Sequence, residues 1–114
     1  MDTTLAVDKL AALAQETRLR IFRLLVERGP QGLNAGAISE ALALAPATLS
    51  FHVANLVRAG LVSSRQEGRF IFYAAGFAAM DDLIAYLTDN CCQGGQCLPK
   101  TAARATIARR RKTA

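Results

Sequence analysis

Three thiols fall within seven positions near the end of this 114-residue sequence, in Asn90-Cys91-Cys92-Gln93-Gly94-Gly95-Gln96-Cys97. Trivalent arsenic is soft, takes three thiolates in a pyramid and keeps a lone pair in the fourth direction. Zinc prefers four ligands in a tetrahedron, and no fourth donor stands close by. The set Cys91, Cys92 and Cys97 therefore suits trivalent arsenic, and trivalent antimony equally, with cadmium and lead as further soft candidates. A methylated arsenic needs only two thiolates, so three lean toward inorganic arsenite. Adjacent residues on an intact helix point about 100° apart, so Cys91 and Cys92 converge only if the preceding helix ends before them. Gly94-Gly95 has the backbone freedom to fold Cys97 back.

Two other readings of these cysteines stand beside the first. They are unselected residues of a loose tail, or they form a redox switch, since neighbouring exposed thiols oxidise readily to a disulfide. An enzyme is not expected. Oxyanion-holding cysteine loops need an arginine six residues on, where Cys91 meets Cys97 and Cys92 meets Leu98. No general base is in sequence reach.

The rest of the chain has room for one core, and 52% apolar residues are enough to build it. No apolar run approaches the ~18 residues of a membrane span. The start, Met1-Asp2-Thr3-Thr4, lacks a signal-peptide pattern. A cytoplasmic protein without membrane contact is expected, its cysteines kept mainly as thiols. Net charge is +5, but six basic residues and no acid follow Leu98, while eight basic and nine acidic residues precede it. The positive balance thus belongs to a tail and says little about the folded part.

Periodicity places the elements that carry the thiols. A first helix runs from Leu5 to Ala14, with Ala6, Leu10 and Leu13 on one face. Thr17 caps a second, striped by Ile21, Leu24 and Leu25 and closed by Gly29-Pro30. Asn34 caps a short third helix that runs to about Leu42. The turn Ala43 to Ala45 leads into a fourth helix from Pro46 to about Arg58, with proline in the tolerated first turn. Two short strands, Val62 to Arg65 and Arg69 to Tyr73, flank Gln66-Glu67-Gly68 as a hairpin. Phe77, Met80, Leu83, Ile84 and Leu87 line a last helix that ends near Asn90. The expected fold is mainly α with a small β-hairpin, in the order of a winged helix-turn-helix. Its parts are a domain over 1–90, a cysteine-rich sensing segment over 91–98 and a basic, frayed tail over 99–114.

Three segments resemble the ArsR/SmtB family of metal-responsive repressors: Glu16 to Leu25, Ala47-Thr-Leu-Ser-Phe-His-Val53 with Leu56 and Ala59-Gly60-Leu61-Val62, and Arg65 to Tyr73. The resemblance covers about residues 3 to 90, with the segments in the right order and spacing. It implies a homodimer joined through first and last helices, binding palindromic operator DNA. The family often carries its cysteines in the third helix, yet Leu33 to Ile38 holds no thiol. Another family pattern binds metal through Asp and His on the last helix, which here offers Asp81, Asp82 and Asp89 without a histidine. The placement of Cys91, Cys92 and Cys97 resembles that of arsenic-responsive members with a cysteine pair and a third cysteine after the last helix. Arsenic would then favour one arrangement of the two last helices and the operator another.

On the fourth helix, Leu49, Val53 and Leu56 fall on one face and belong to the core. Thr48, Phe51, Asn55 and Arg58 lie opposite, with Ser50 and His52 on the borders. Arg58 can pair with phosphate, Asn55 can read adenine, Thr48 and Ser50 can bond base or backbone, and Phe51 can cover a thymine methyl. Without DNA, the same residues make a solvated face. His52, the single histidine, suits a structural or phosphate hydrogen bond better than a metal. Arg65 and Arg69 flank the hairpin tip, and Arg69, beside the glycine, is the better placed to reach a minor groove or phosphate. A DNA binder blind to any ligand remains a further reading. It would be unchanged by Cys91→Ser, Cys92→Ser and Cys97→Ser.

Overall fold

The structure, a computed structural model, describes residues 1–94. Cys97 and the basic tail lie outside the described residues. Helix α1 spans Thr3–Leu13, α2 Glu16–Arg28, α3 Ala35–Leu42, α4 Pro46–Arg58 and α5 Phe77–Thr88. Strands β1 (Leu33–Asn34), β2 (Val62–Glu67) and β3 (Phe70–Ala75) form an antiparallel sheet in the order β1-β3-β2. This is a winged helix-turn-helix, as expected. No single helix among the described residues is long and apolar enough to cross a membrane.

Local chemistry explains the starts and stops. Asp2 Oδ1 accepts from the Leu5 N–H at 2.8 Å, and Asn34 Oδ1 from the Ala37 N–H at 2.8 Å, so each satisfies a first-turn donor. The cap of α2 is Gln15 rather than Thr17. The longer Gln15 side chain reaches the Arg18 N–H at 2.8 Å, and Thr17 falls inside the first turn. The hairpin closes one step later than expected, with Gly68 (φ 61°) and Arg69 as the two loop residues and Glu67 paired opposite Phe70. Helix α5 stops at Thr88, short of Asn90.

Strand β1 escaped the sequence pattern because two residues hold no alternation. Its pairing of Leu33 with Tyr73 and Asn34 with Phe72 depends on Gly32. A Cβ there would lie 2.2 Å from the Tyr73 carbonyl oxygen, and its φ is +73°. In the turn between α3 and α4, Ala43 takes the left-handed conformation (φ 54°, ψ 48°), which turns the chain through 110° between the helices.

The core gathers Ile21, Phe22 and Leu25 of α2, Ile38 of α3, Leu49, Val53 and Leu56 of α4, and Leu61, Val62 and Ala75 of the hairpin. Helix α1 departs from expectation. It turns Ala6, Lys9 and Ala12 inward and leaves Leu5, Val7 and Leu10 exposed. Small side chains allow close approach to the body, and the larger ones are left for an outer surface. On α5, Leu83 is buried and Phe77 and Met80 pack on the core, while Leu87 is exposed. The two helices meet through Thr3 Oγ1 and the Tyr86 hydroxyl, 2.5 Å apart.

Gly32→Ala should unfold the chain at lower denaturant, because both the Cβ clash and the positive φ oppose it. Ala43→Gly should raise the unfolding free energy by about 0.5–1 kcal/mol, the left-handed penalty of an L residue outweighing glycine's extra unfolded-state entropy. Urea denaturation of both variants beside the parent chain checks the two opposite signs.

Candidate nucleic-acid interface and thiol segment

Helix α4 buries Leu49, Val53 and Leu56 to 2% exposure or less, and this fixes its rotation. Thr48, Ser50, Phe51 and Arg58 are consequently exposed, with His52 and Asn55 half-buried at the borders. Phe51 is 64% exposed, a large apolar area to leave in water on a folded surface. Ala45 caps the helix without a side-chain hydrogen bond and Pro46 opens it. The N–H groups of the first turn therefore point outward at the positive end of the helix dipole, where phosphate is favoured. Exposed Ala47 contributes one of them, and a backbone donor of this kind leaves no signature in residue type.

The side chains on this face are partly engaged with one another. Arg58 Nη2 donates to Asn55 Oδ1 at 2.7 Å, and Asn55 Nδ2 donates to the Phe51 carbonyl at 3.0 Å. In this arrangement Asn55 orients Arg58, and reading adenine would require it to exchange both bonds. His52 sits edge-on to Phe51, ring centroids 5.2 Å apart. Its Nδ1 lies 3.3 Å from Arg18 Nη1. A guanidinium has no acceptor, so Arg18 donates and Nδ1 accepts, which leaves the His52 proton on Nε2.

Arg65 and Arg69 differ sharply. Arg65 pairs with Glu67 and stacks 4.8 Å from the centroid of Phe72, which holds it against its own hairpin. Arg69 is exposed in the two-residue tip, with no hydrogen-bond or ion-pair partner among the described residues. The hairpin thus presents one arginine and retains the other.

The thiol segment begins where α5 has already broken. Asp89 is extended (φ −61°, ψ 133°), and Asn90 (φ 55°), Cys92 (φ 51°) and Gln93 (φ 55°) are left-handed, with a short 3₁₀ turn over Cys91–Gly94. Cys91 and Cys92 are therefore released from helical splay. Both are disulfide-bonded in this structure. Asp81 and Asp82 of α5 and Asp89 just beyond it form no group suited to a metal ion among the described residues.

A three-helix core, a 110° helix-turn-helix and a hairpin with a basic tip define a DNA-binding transcription regulator. Residues 13–65 match a family model described as a helix-turn-helix domain. The transcriptional activator HlyU of Vibrio cholerae is 36% identical over 91 residues, covering 80% of this chain and 82% of that protein. Its solved structure superposes with a TM-score of 0.64 at 35% identity, over 82% of this chain and 100% of that one, and it has also been solved in a reduced form. A possible transcriptional regulator for arsenical resistance superposes with a TM-score of 0.62 at 28% identity, over 70% of this chain and 80% of that one. The homodimeric winged helix-turn-helix domain of a possible ArsR-family regulator from Mycobacterium bovis shares the fold at 23% identity and TM-score 0.62, covering 84% and 89%. The chain belongs to the ArsR-type family of winged helix-turn-helix transcriptional regulators.

Arg58→Gln should weaken binding to every DNA sequence alike and flatten the log-log salt slope by about 0.9, one phosphate's worth. Phe51→Ala should keep that slope and relax preference at a thymine. Titrations of both variants at several salt concentrations distinguish the two roles.

Proposed function

We propose that this chain is a homodimeric, cytoplasmic repressor that binds palindromic operator DNA and lets go when Cys91, Cys92 and Cys97 capture trivalent arsenic, or trivalent antimony. The reading rests chiefly on one observation. The cysteine pair lies just beyond α5, in backbone that is no longer helical, so its side chains are not forced apart. Capture exchanges the three hydroxyls of arsenous acid for three sulfurs and releases three waters. It needs neither an oxidant nor a fourth protein ligand. The likeness to a possible regulator for arsenical resistance supports the ligand.

Dimerisation through α1 and α5 is supported by Leu5, Val7, Leu10 and Leu87, exposed on the two helices, and by the homodimer of the Mycobacterium bovis domain. The thiol segment then borders the dimer seam. A ligand there shifts DNA affinity only if it prefers one arrangement of the seam.

A second reading, control of DNA binding by thiol oxidation, is favoured by the disulfide-bonded state of Cys91 and Cys92. The existence of a reduced form among HlyU structures is in keeping with it.

Fluorescence anisotropy of the reduced protein on DNA from upstream of its own gene tests the proposal. Arsenite should lower affinity by about 5–150-fold, a coupling of ~1–3 kcal/mol. Cys91→Ser and Cys92→Ser should each abolish the effect. Release by peroxide with indifference to arsenite would replace the metalloid by the redox reading. Full arsenite response in Cys92→Ser would overturn the three-thiolate site.

A further inference from the structure

Helix α1 is fastened to the DNA-reading helix by two directional bonds and very little packing. Its buried apolar side chains among the described residues are the small Ala6 and Ala12, with Leu13 partly buried beside them. An interface of such small side chains has no ridges to set a crossing angle. Lys9, buried to 9% exposure, donates from Nζ to the Ala59 carbonyl at 2.9 Å, just past the last residue of α4. Burying an ammonium is costly unless it is hydrogen-bonded, and the negative end of the α4 dipole is a suitable acceptor. Arg18 makes the second tie. Its Nε donates to the Ala12 carbonyl at 2.6 Å and its Nη1 to His52 Nδ1 at 3.3 Å, so one guanidinium joins the end of α1, the start of α2 and the middle of α4. Between the ties lies an open groove of about 350 Å³, lined by Asp8, Arg18, Asn55 and Arg58 together with three alanines, so the helices do not close on each other there.

We infer that Lys9 and Arg18 clamp α4 to α1 at a fixed tilt and thereby set the half-site spacing that the dimer accepts. This rests on the homodimeric reading above and not on its arsenic ligand. Helix α4 has 13 residues, about 20 Å of rise. A tilt of about 10° about one end displaces the other by roughly 3.5 Å, close to one base-pair step. With α1 in the dimer seam, loosening its hold on α4 frees each recognition helix to swing relative to its twin. Neither cation then needs to touch DNA for specificity to depend on it.

Selection of binding sites from a pool of randomised duplexes tests this. The wild-type dimer should select paired half-sites at one spacing, and inserting one base pair should cost it about tenfold in affinity. Lys9→Met and Arg18→Met should select the same half-site sequence over several spacings, with the insertion costing less than about threefold and the salt slope unchanged. If Lys9→Met does not fold, Arg18→Met, which removes the other tie, carries the test by itself. Sedimentation confirms that the variants remain dimers. Variants that keep a single sharp spacing overturn the inference. A flattened salt slope overturns it too, by making these cations phosphate contacts. Wild-type protein that selects lone half-sites removes the dimeric reading, and the clamp with it.

Discussion

Burial of Leu49, Val53 and Leu56 is the constraint on which the rest of the molecule depends. These three side chains lock α4 against α2 and α3, and a helix with one face in a core has no choice about its other face. The outward direction of Phe51 and Arg58 follows from that rotation, as does the half-buried position of His52. Burial also decides what α4 can tolerate. An exposed phenylalanine beside an exposed arginine gains nothing for a monomer in water, so its value lies in a surface that arrives from outside. The Asn55 bonds to Arg58 and to the Phe51 carbonyl show the same face arranged in advance.

The helices that frame this unit are built on an opposite principle. Helix α1 places alanines and the Lys9 stem inward and its larger apolar residues outward. It is tethered by hydrogen bonds at Ala12, Thr3 and Lys9 rather than by interlocking side chains. A joint made of few directional bonds has discrete arrangements separated by modest energies. Under the proposed function such a joint would suit an element between the cysteine segment and α4, because coupling needs two states of similar energy. Arg65 illustrates the complementary choice in the hairpin. Held by Glu67 and Phe72, it stiffens a short antiparallel pair and leaves Arg69 alone at the tip.

The thiol segment owes its chemistry to where α5 ends. Had the helix continued, Cys91 and Cys92 would point about 100° apart. Left-handed residues at Asn90, Cys92 and Gln93 replace that divergence with a tight coil. Three thiolates capturing a trivalent metalloid and two sulfurs forming a disulfide both require this proximity. The two chemistries compete for the same atoms, since a sulfur already bonded to sulfur cannot bind arsenic until it is reduced.

Much of this was readable from residue types alone, and the divisions follow a physical line. Periodic burial, proline at a first turn, asparagine at a cap and glycine at a hairpin act locally, so five helices, the hairpin and the exposed side of α4 could be placed from the sequence. The clustering of the cysteines is likewise a property of the chain, and so is the chemistry that three thiols invite. The three-dimensional arrangement alone decided which face of α1 turns inward, because the choice between Ala6 with Ala12 and Leu10 with Leu13 depends on how closely a neighbour must approach. It alone revealed β1, whose two residues pair only because Gly32 lets the loop close on Tyr73. It assigned Lys9 and Arg18 to carbonyls 50 and six residues away. Bonds of that kind depend on distances between elements, and no local pattern encodes those.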